Sequence, residues 1–423
     1  MKFSTATLIA VLSSIVNASC SYDGGNYYCS ETKKVVYKGI GFSGSYQDVT
    51  NMDEDSGSCS QESYSFSGNL SPLDEELSVH FRGPLKLLQF GVYYPSGSNS
   101  KRQVEDCNTQ HIHHKHKRAT EIVQVTQTVL IDGNGNTVTS QTTETSTADD
   151  NQGGSSSPAD GSSGTTSITN LAGQGKAYRS ISTSSAPTTT SSDSSSSETA
   201  SADGAWQRDS YYTPGNADNC VFLNYYGGSG SGVWSSKFGN SLSYANSDNS
   251  GGSSSAVALE EVTIGSNTEF VVMSGEKCSG NSCGYYREGT VAHHGFGGSN
   301  KIFIFEFEMP SDGSSGFNAD MPAVWLLNAK IPRTLQYGDS SCSCWKTGCG
   351  ELDLFEILSS GSNKLISHLH DGQGASSNTN NGGGGSQDYF ARPTSGSLKA
   401  AVIFTSNETV SYTHLTLPTI CSV

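Results

Sequence analysis

Short runs of alternating apolar and polar residues recur along the chain and predict β-strands separated by Gly-rich turns. No segment has the sustained 3.6-residue period with caps that an amphipathic helix requires. The pattern therefore predicts an all-β protein, and a sandwich or jelly roll is the usual architecture for such a chain. The predicted strands lie at 35–37, 77–81, 270–273, 302–309, 324–327, 352–358 and 400–405.

Composition divides the chain into four parts. Residues 1–18 hold an apolar run and small residues at positions 16–18, which predicts a secretory signal peptide cleaved after Ala18. Residues 19–118 are expected to form a small β domain that ends in a basic, His-rich segment. Residues 119–204 are rich in Ser and Thr and hold too few apolar groups for a core, which predicts a flexible or O-glycosylated linker containing a possible hairpin at 122–138. Residues 205–423 are expected to form the second all-β domain.

Predicted export places the eleven cysteines in an oxidising compartment and favours disulfides over metal binding. Cys20, Cys29, Cys59 and Cys107 form an even set that could cross-link the first domain, with the pairing left open. Six more cysteines lie in the second domain, at 220, 278, 283, 342, 344 and 349. Sequons at 69–71 and 407–409 agree with a secreted glycoprotein.

The last fourteen residues, 410–423, differ in character from the domain before them and contain the eleventh cysteine, Cys421. They look like translated adapter sequence. We therefore expect the second domain to be truncated, with a non-native tail from about residue 410.

The charge of the chain restricts its partners. It has 24 basic and 40 acidic residues, a formal net charge of −16, so it lacks the cationic field needed to bind nucleic acid or an anionic membrane. A neutral polysaccharide remains compatible. The basic segment at 111–118 has no thiolate or carboxylate in ligand spacing, so Lys117-Arg118 is better interpreted as a dibasic processing site than as part of a metal site. Neither a cofactor nor an oligomeric state is indicated.

The run from Gly350 to Leu358 places three carboxylates in an otherwise apolar strand, which is costly unless that face lines a polar cleft. Glu351 and Asp353 are two residues apart and share a face, whereas Glu356 would point to the other side of a regular strand. One β-bulge between Asp353 and Glu356 would bring all three to the same face. The residues packed behind would be Leu352, Leu354 and Ile357.

Two glutamates in one groove with an aspartate between them suit retaining glycoside hydrolysis. That reaction needs a nucleophilic carboxylate and a protonated carboxyl about 5–5.5 Å apart, and the aspartate would push their pKa values apart. A calcium site and a vestigial cleft that binds glycan without cutting it are the alternatives. His368 and His370 could face the same cleft as substrate-binding residues, or be ordinary polar strand residues.

The acidic strand also resembles the E-x-D-x-x-E signature of glycoside hydrolase family 16. Segments 305–310 and 321–327 are similar to neighbouring parts of that family, with Met321 where the family has Trp. The layout of the whole chain resembles fungal cell-wall proteins of the Target-of-SBF type, and segments 71–77, 81–86 and 389–393 are similar to that group.

This resemblance implies a concanavalin-like jelly roll, a cell-wall location and a β-glucan substrate, with β-1,3-glucan the expected one. It implies that Glu351 is the nucleophile, Asp353 the assisting carboxylate and Glu356 the acid/base. Trp325 would be a sugar-stacking platform or else a core residue, and Met321 leaves the linkage preference open. A transglycosylase with the same residues, and a non-catalytic glucan-binding wall protein, remain alternatives to an endo-acting hydrolase.

Overall fold

The computed structural model describes residues 20–24, 26–96, 130–131, 137–138, 205–373, 383–405 and 408–413. Helical structure within these ranges is confined to α1 (Lys330–Arg333) and two 3₁₀ turns, Ser340–Cys342 and Trp345–Thr347. None of the helices described there has the length and apolarity needed to cross a membrane. The predicted signal peptide, the His-rich segment and most of the predicted linker lie outside the described residues.

The strands that come before the predicted second domain are β1 (Ser21–Asp23), β2 (Asn26–Tyr28), β3 (Lys34–Lys38), β4 (Gly44–Asp53), β5 (Ser58–Phe66), β6 (Leu77–Arg82), β7 (Leu85–Pro95), β8 (Leu130–Ile131) and β9 (Thr137–Val138). The later strands are β10 (Trp206–Thr213), β11 (Asn216–Asp218), β12 (Cys220–Asn224), β13 (Trp234–Ser235), β14 (Gly239–Asn240), β15 (Ser243–Ala245), β16 (Gly252–Ser253), β17 (Thr263–Ile264), β18 (Glu269–Ser274), β19 (Lys301–Glu308), β20 (Ala323–Asn328), β21 (Glu351–Glu356), β22 (Lys364–His370), β23 (Gly384–Gly385), β24 (Phe390–Ala391), β25 (Leu398–Thr405) and β26 (Glu408–Thr413).

Two antiparallel sheets enclose the main core. One has the order β11-β10-β7-β19-β25-β26-β3, and the other has the order β16-β15-β12-β18-β6-β20-β21-β22-β23. Apolar side chains from both sheets meet between them, and aromatic rings make contacts such as Phe81 with Phe305 and Phe307 with Phe355. The predicted all-β jelly-roll sandwich is confirmed, because each sheet buries one apolar face against the other.

The strands before the linker do not form a separate small domain. β6 lies between β18 and β20 in one sheet, and β7 lies between β10 and β19 in the other. Five of the six β6 residues are buried. A strand that is paired on both edges and covered on both faces belongs to the core of the larger sandwich. The described residues before 97 and after 204 therefore form one compact unit, in contrast to the expected boundary.

The disulfides confirm the predicted chemistry and correct the predicted grouping. Cys59 pairs with Cys342, so one bond joins the segment before the linker to the segment after it. The other bonds among the described residues are Cys20–Cys29, Cys278–Cys283 and Cys344–Cys349, and Cys220 is a buried free thiol. Cys107 and Cys421 lie outside the described residues. The expected sets of four and six cysteines therefore do not hold.

Two local expectations fall on short described strands. β8 and β9 pair as the predicted hairpin. β26 pairs with β25 and with β3, so residues 410–413 form part of a sheet although they lie in the segment expected to be non-native. Residues 414–423 lie outside the described part of the chain.

Cleavage between residues 97 and 204, for example at Lys117-Arg118, should not release the N-terminal segment. β6 and β7 are interior strands, and the Cys59–Cys342 bond links the two pieces covalently. We expect the nicked protein to run as one band in non-reducing denaturing electrophoresis and as two bands after reduction. A Cys342→Ser variant should give two denatured bands without reductant and still elute as one native particle. Release of a folded N-terminal fragment from the unreduced native protein would contradict this.

Candidate active site

The strand register shows one extra residue in β21. Asp353 lies opposite His368 on β22, while Glu356 lies opposite Ile366. An advance of three residues along β21 therefore corresponds to an advance of two residues along β22. The same shift occurs against β20. This is the predicted bulge, and it turns Glu356 to the face that Glu351 and Asp353 occupy.

The bulge also decides which residues enter the core. Leu354 and Phe355 are consecutive, yet both are buried between the sheets, together with Leu352 and Ile357. A regular strand would send one of two consecutive side chains to the opposite face. The predicted packing of Leu352, Leu354 and Ile357 behind the acidic face is thus confirmed.

Neighbouring strands place further polar side chains on the acidic face. Cross-strand partners share a face, so His370 accompanies Glu351 and His368 accompanies Asp353. Both histidines therefore share the face of the acids, and their role in substrate binding stays a prediction. On the other side of β21, cross-strand pairing continues through β20 to β6. This pairing places His80 and Arg82 of β6 on the same face as the acids.

Each acid has its own polar partner. The Trp345 Nε1–H donates to Glu351 Oε2, and His370 Nε2 lies 3.2 Å from Asp353 Oδ2. Arg82 donates from Nη2 to Glu356 Oε1 at 3.3 Å and from Nε to the Met321 carbonyl at 2.8 Å. The Met321 position thus orients Arg82 through its backbone, while its side chain packs against the main core.

Burial raises the pKa of all three carboxyls, and repulsion from a neighbouring carboxylate adds to this shift for Glu351 and Asp353. Burial, and secondarily the charge of Asp353, raise the pKa of Glu351 to about 8. Burial and the charge of Glu356 hold the pKa of Asp353 well above its ordinary value. Burial also raises the pKa of Glu356, and the Arg82 guanidinium opposes that shift. The three groups therefore titrate as one cluster that retains protons at a pH where isolated carboxyls are ionised.

Trp325 does not have the open ring face that a sugar-stacking platform requires. Its side chain is only 5% exposed, and its ring stacks on the His80 ring with centroids 5.0 Å apart. Tyr46 and Phe66, from the β4–β5 ribbon, belong to the same apolar cluster. The structure therefore favours the core alternative for Trp325, because its neighbours already occupy its apolar surface.

Sequence reasoning missed Arg82, His80 and Trp345. The first two had a signal, since Ser78, His80 and Arg82 are polar at alternate positions of an otherwise apolar strand. Nothing local indicated that this polar face would join the acidic strand. Trp345 is 39% exposed and lies between Cys344 and Cys349, a position that carries no comparable pattern.

The calcium alternative fits the side chains poorly. Asp353, Glu356 and His368 bring ligand atoms within 4.8 Å of one another. Calcium takes six to eight oxygen ligands, whereas this group includes an imidazole nitrogen and shares Glu356 with Arg82. The arrangement is better suited to holding protons at defined carboxyls than to holding a hard cation.

Comparisons with known proteins cover nearly the whole chain. A family model described as "Cell wall protein YJL171C/Tos1, C-terminal" matches residues 204–420, and the corresponding N-terminal model matches residues 33–95. A Candida albicans protein named "Probable circularly permuted 1,3-beta-glucanase TOS1" is 72% identical, with 96% of this chain and 92% of that protein aligned. The Saccharomyces cerevisiae protein of the same name is 54% identical over 96% and 92%. No solved structure gives a significant match.

The raised pKa of Glu351 predicts that this carboxyl destabilises the fold as pH rises. Between the ordinary value of 4.5 and about 8, the folded protein binds more protons than the unfolded chain, so its free energy of unfolding falls with pH. Glu351→Gln should therefore raise Tm, by little at pH 4 and by roughly 2–8 °C at pH 8, which corresponds to about 1–2 kcal/mol at about 2–4 °C for each kcal/mol. Thermal unfolding of both proteins across pH 4–9 measures the difference.

Arg82→Gln is the matched comparison, with the opposite sign. It removes the positive charge that compensates Glu356, so we expect Tm to fall, and to fall further at pH 8 than at pH 4, where Glu356 is protonated. Equal shifts at both pH values in either variant would contradict the electrostatic account.

Proposed function

This chain belongs to the Tos1 family of cell-wall proteins, and we propose that it is a secreted endo-acting hydrolase of β-1,3-glucan. The relatives' names support a glucanase role, and the family description supports a location in the cell wall. The observation that carries the proposal is the bulge in β21, which brings Glu351, Asp353 and Glu356 to one face.

The proposed reaction is a retaining double displacement. The ionised Glu351 carboxylate attacks the anomeric carbon while protonated Glu356 gives its proton to the glycosidic oxygen, so the leaving chain departs as an alcohol. The covalent glycosyl ester on Glu351 is then attacked at the same carbon by water. Glu356, now a carboxylate, takes the proton of that water, and Glu351 leaves as the carboxylate, which completes the cycle.

Asp353 allows Glu351 to act as a nucleophile in a buried site. Burial and the charge of Glu356 hold the pKa of Asp353 well above its ordinary value, which favours the protonated form of Asp353. A neutral Asp353 does not repel a charge on Glu351, so the pKa of Glu351 is lower than it is beside an ionised aspartate and its reactive, ionised form is easier to reach. His370 Nε2 lies 3.2 Å from Asp353 Oδ2, within hydrogen-bond distance, which fixes the orientation of the aspartate.

Arg82 has a different effect on Glu356. Its charge opposes the effect of burial on the pKa of Glu356, which moderates the increase while leaving the carboxyl able to carry a proton. Such a pKa suits a group that must donate a proton in the first step and accept one in the second. The guanidinium also keeps the carboxylate in place through its second bond, to the Met321 carbonyl.

The charge of the protein supports a neutral substrate. A net charge of −16 opposes the approach of polyanions and has no such effect on an uncharged glucan. A transglycosylase would use the same carboxyls and differ only in whether water or a sugar hydroxyl attacks the glycosyl-enzyme. A wall protein that binds glucan without cutting it would need neither the proton on Glu356 nor the charge on Glu351.

Incubation of the full chain with laminarin tests the proposal. We expect reducing sugar to appear, with the initial product in the β configuration by proton NMR. Glu356→Gln should lower the rate by about 10²–10⁴-fold, the usual contribution of a general acid, and Glu351→Gln by at least as much. Glu306→Gln is the matched control, because this strand glutamate pairs with Lys399 in the opposite sheet.

The products distinguish the alternatives. Oligosaccharides longer than the starting material would identify transfer as the main reaction. An initial α product would contradict retention. Undiminished binding of laminarin without any cleavage would identify a non-catalytic glucan-binding protein and overturn the proposed hydrolysis.

A further inference from the structure

A cleft of about 320 Å³ lies beside the acidic strand and is not used in the mechanism above. Its size falls in the range of small-molecule sites in proteins. Part of its wall comes from β22, part from the chain around β23, and part from the β1–β2 hairpin at the start of the described chain. The lining residues are Asn26, Tyr27, Ile366, His368, Gly385, Ser386 and Gln387.

The cleft is continuous with the candidate active site. Ile366 lies opposite Glu356 and His368 lies opposite Asp353, so both lining residues are direct cross-strand neighbours of the acids. His368 in turn lies opposite Gly385 on β23. Since adjacent strands are about 4.8 Å apart, the row from β21 to β23 extends about 10 Å from the acids. A polymer bound across the acids in this direction must enter the cleft.

The cleft lining suits a sugar better than an ion. It holds no carboxylate, ammonium or guanidinium group, and His368 has a pKa lowered by burial, which favours its neutral form. Two side-chain amides and an imidazole line the cleft and suit hydrogen bonding with sugar hydroxyls. Tyr27 adds an aromatic ring, and an aromatic face packs against the apolar C–H face of a pyranose.

Tyr27 presents its ring to solvent from a hairpin that is firmly held. The side chain is 46% exposed and contacts its cross-strand partner Tyr22, with ring centroids 5.0 Å apart. The Cys20–Cys29 disulfide closes the hairpin, and the Cys29 N–H donates to the Gln387 carbonyl at 2.8 Å. The exposed ring is therefore pre-positioned over the cleft, and binding needs little reorganisation there.

The part of the wall formed by β22 and β23 requires a glycine at position 385. A methyl group added at Gly385 would overlap the imidazole ring of His368, so the backbone of β23 packs directly against that ring. Any larger residue at this position must displace the His368 ring. Gly385 therefore offers a second way to alter the cleft, through a part of the wall to which Tyr27 does not belong.

We propose that this cleft is a distal glucan subsite, in which Tyr27 stacks on a glucose unit of the chain beyond the units held at the acids. The proposal rests on the glucanase function proposed above and extends it to substrate length. The protein recognises a longer segment of glucan than the catalytic residues alone contact. The part of the chain before the linker supplies the stacking residue.

Binding measurements on catalytically inactive protein test the subsite without turnover. In the full chain carrying Glu356→Gln, calorimetry gives Kd for laminari-oligosaccharides of increasing length. Adding Tyr27→Ala should weaken the longest oligosaccharides about five- to tenfold, the usual loss for an aromatic anchor, and leave the shortest unchanged. Tyr27→Phe keeps the ring and should restore affinity. Gly385→Ala should also weaken binding of the longest oligosaccharides.

Tyr64→Ala is the matched control. Tyr64 is also a hairpin tyrosine, 42% exposed, but the Lys330 ammonium lies 3.8 Å from its ring centroid and covers one face. We expect this variant to bind every oligosaccharide as the parent does. Loss of affinity on Tyr64→Ala equal to that on Tyr27→Ala would overturn the specific role of Tyr27.

Other outcomes also decide the proposal. Unchanged affinity after Tyr27→Ala, equal weakening at all lengths, or no binding of any laminari-oligosaccharide would overturn the subsite. Length-dependent loss in a protein whose wild type does not cleave laminarin would support the subsite while the proposed hydrolysis fails, so the two proposals can be separated.

Discussion

Three carboxyls on one buried strand face destabilise the fold, and the structure around them offsets this cost in free energy. The extra residue in β21 brings Glu351, Asp353 and Glu356 together, and their burial raises the pKa of each. Buried like charges this close are tolerated only when protons or opposite charges reduce them. The surrounding structure provides both, because burial favours a proton on Asp353 and Arg82 pairs with Glu356. Without this compensation, the three acids that the bulge brings together would lower the stability of the fold.

The compensating groups come from distant parts of the chain, which explains the topology. Arg82 is on β6, before the linker, whereas His370 is on β22 and Trp345 is in the loop that precedes β21. β6 can deliver Arg82 only as an interior strand beside β20. The segment before the linker therefore contributes a residue directly to the acidic face. The Cys59–Cys342 bond joins the same two parts of the chain.

Local patterns predicted what depends on local forces. The alternation at 77–81 and 352–358 identified strands, and the spacing of the acids was sufficient to predict a bulge, because only a bulge puts residues three apart on one face. The pairing of strands is not local. A short apolar strand such as β6 fits a small independent domain as well as the centre of a larger sheet, so the predicted domain boundary was wrong. The grouping of Cys59 with the first domain was wrong for the same reason. Trp325 illustrates the limit for single residues, since only the tertiary contact with His80 shows that its ring is covered.

The two glutamates differ in their partners, and this difference supports separate chemical roles. Glu351 has a neutral donor, the indole of Trp345, and its main like-charge neighbour is Asp353. Protonation of Asp353 therefore acts as a local control on the charge of Glu351. Glu356 has the positive charge of the Arg82 guanidinium beside it. A nucleophile benefits from the environment of Glu351, because a neutral Asp353 beside it does not oppose its charged form. A group that alternates between acid and base benefits from the environment of Glu356, because Arg82 stabilises its charged form while burial stabilises its neutral form.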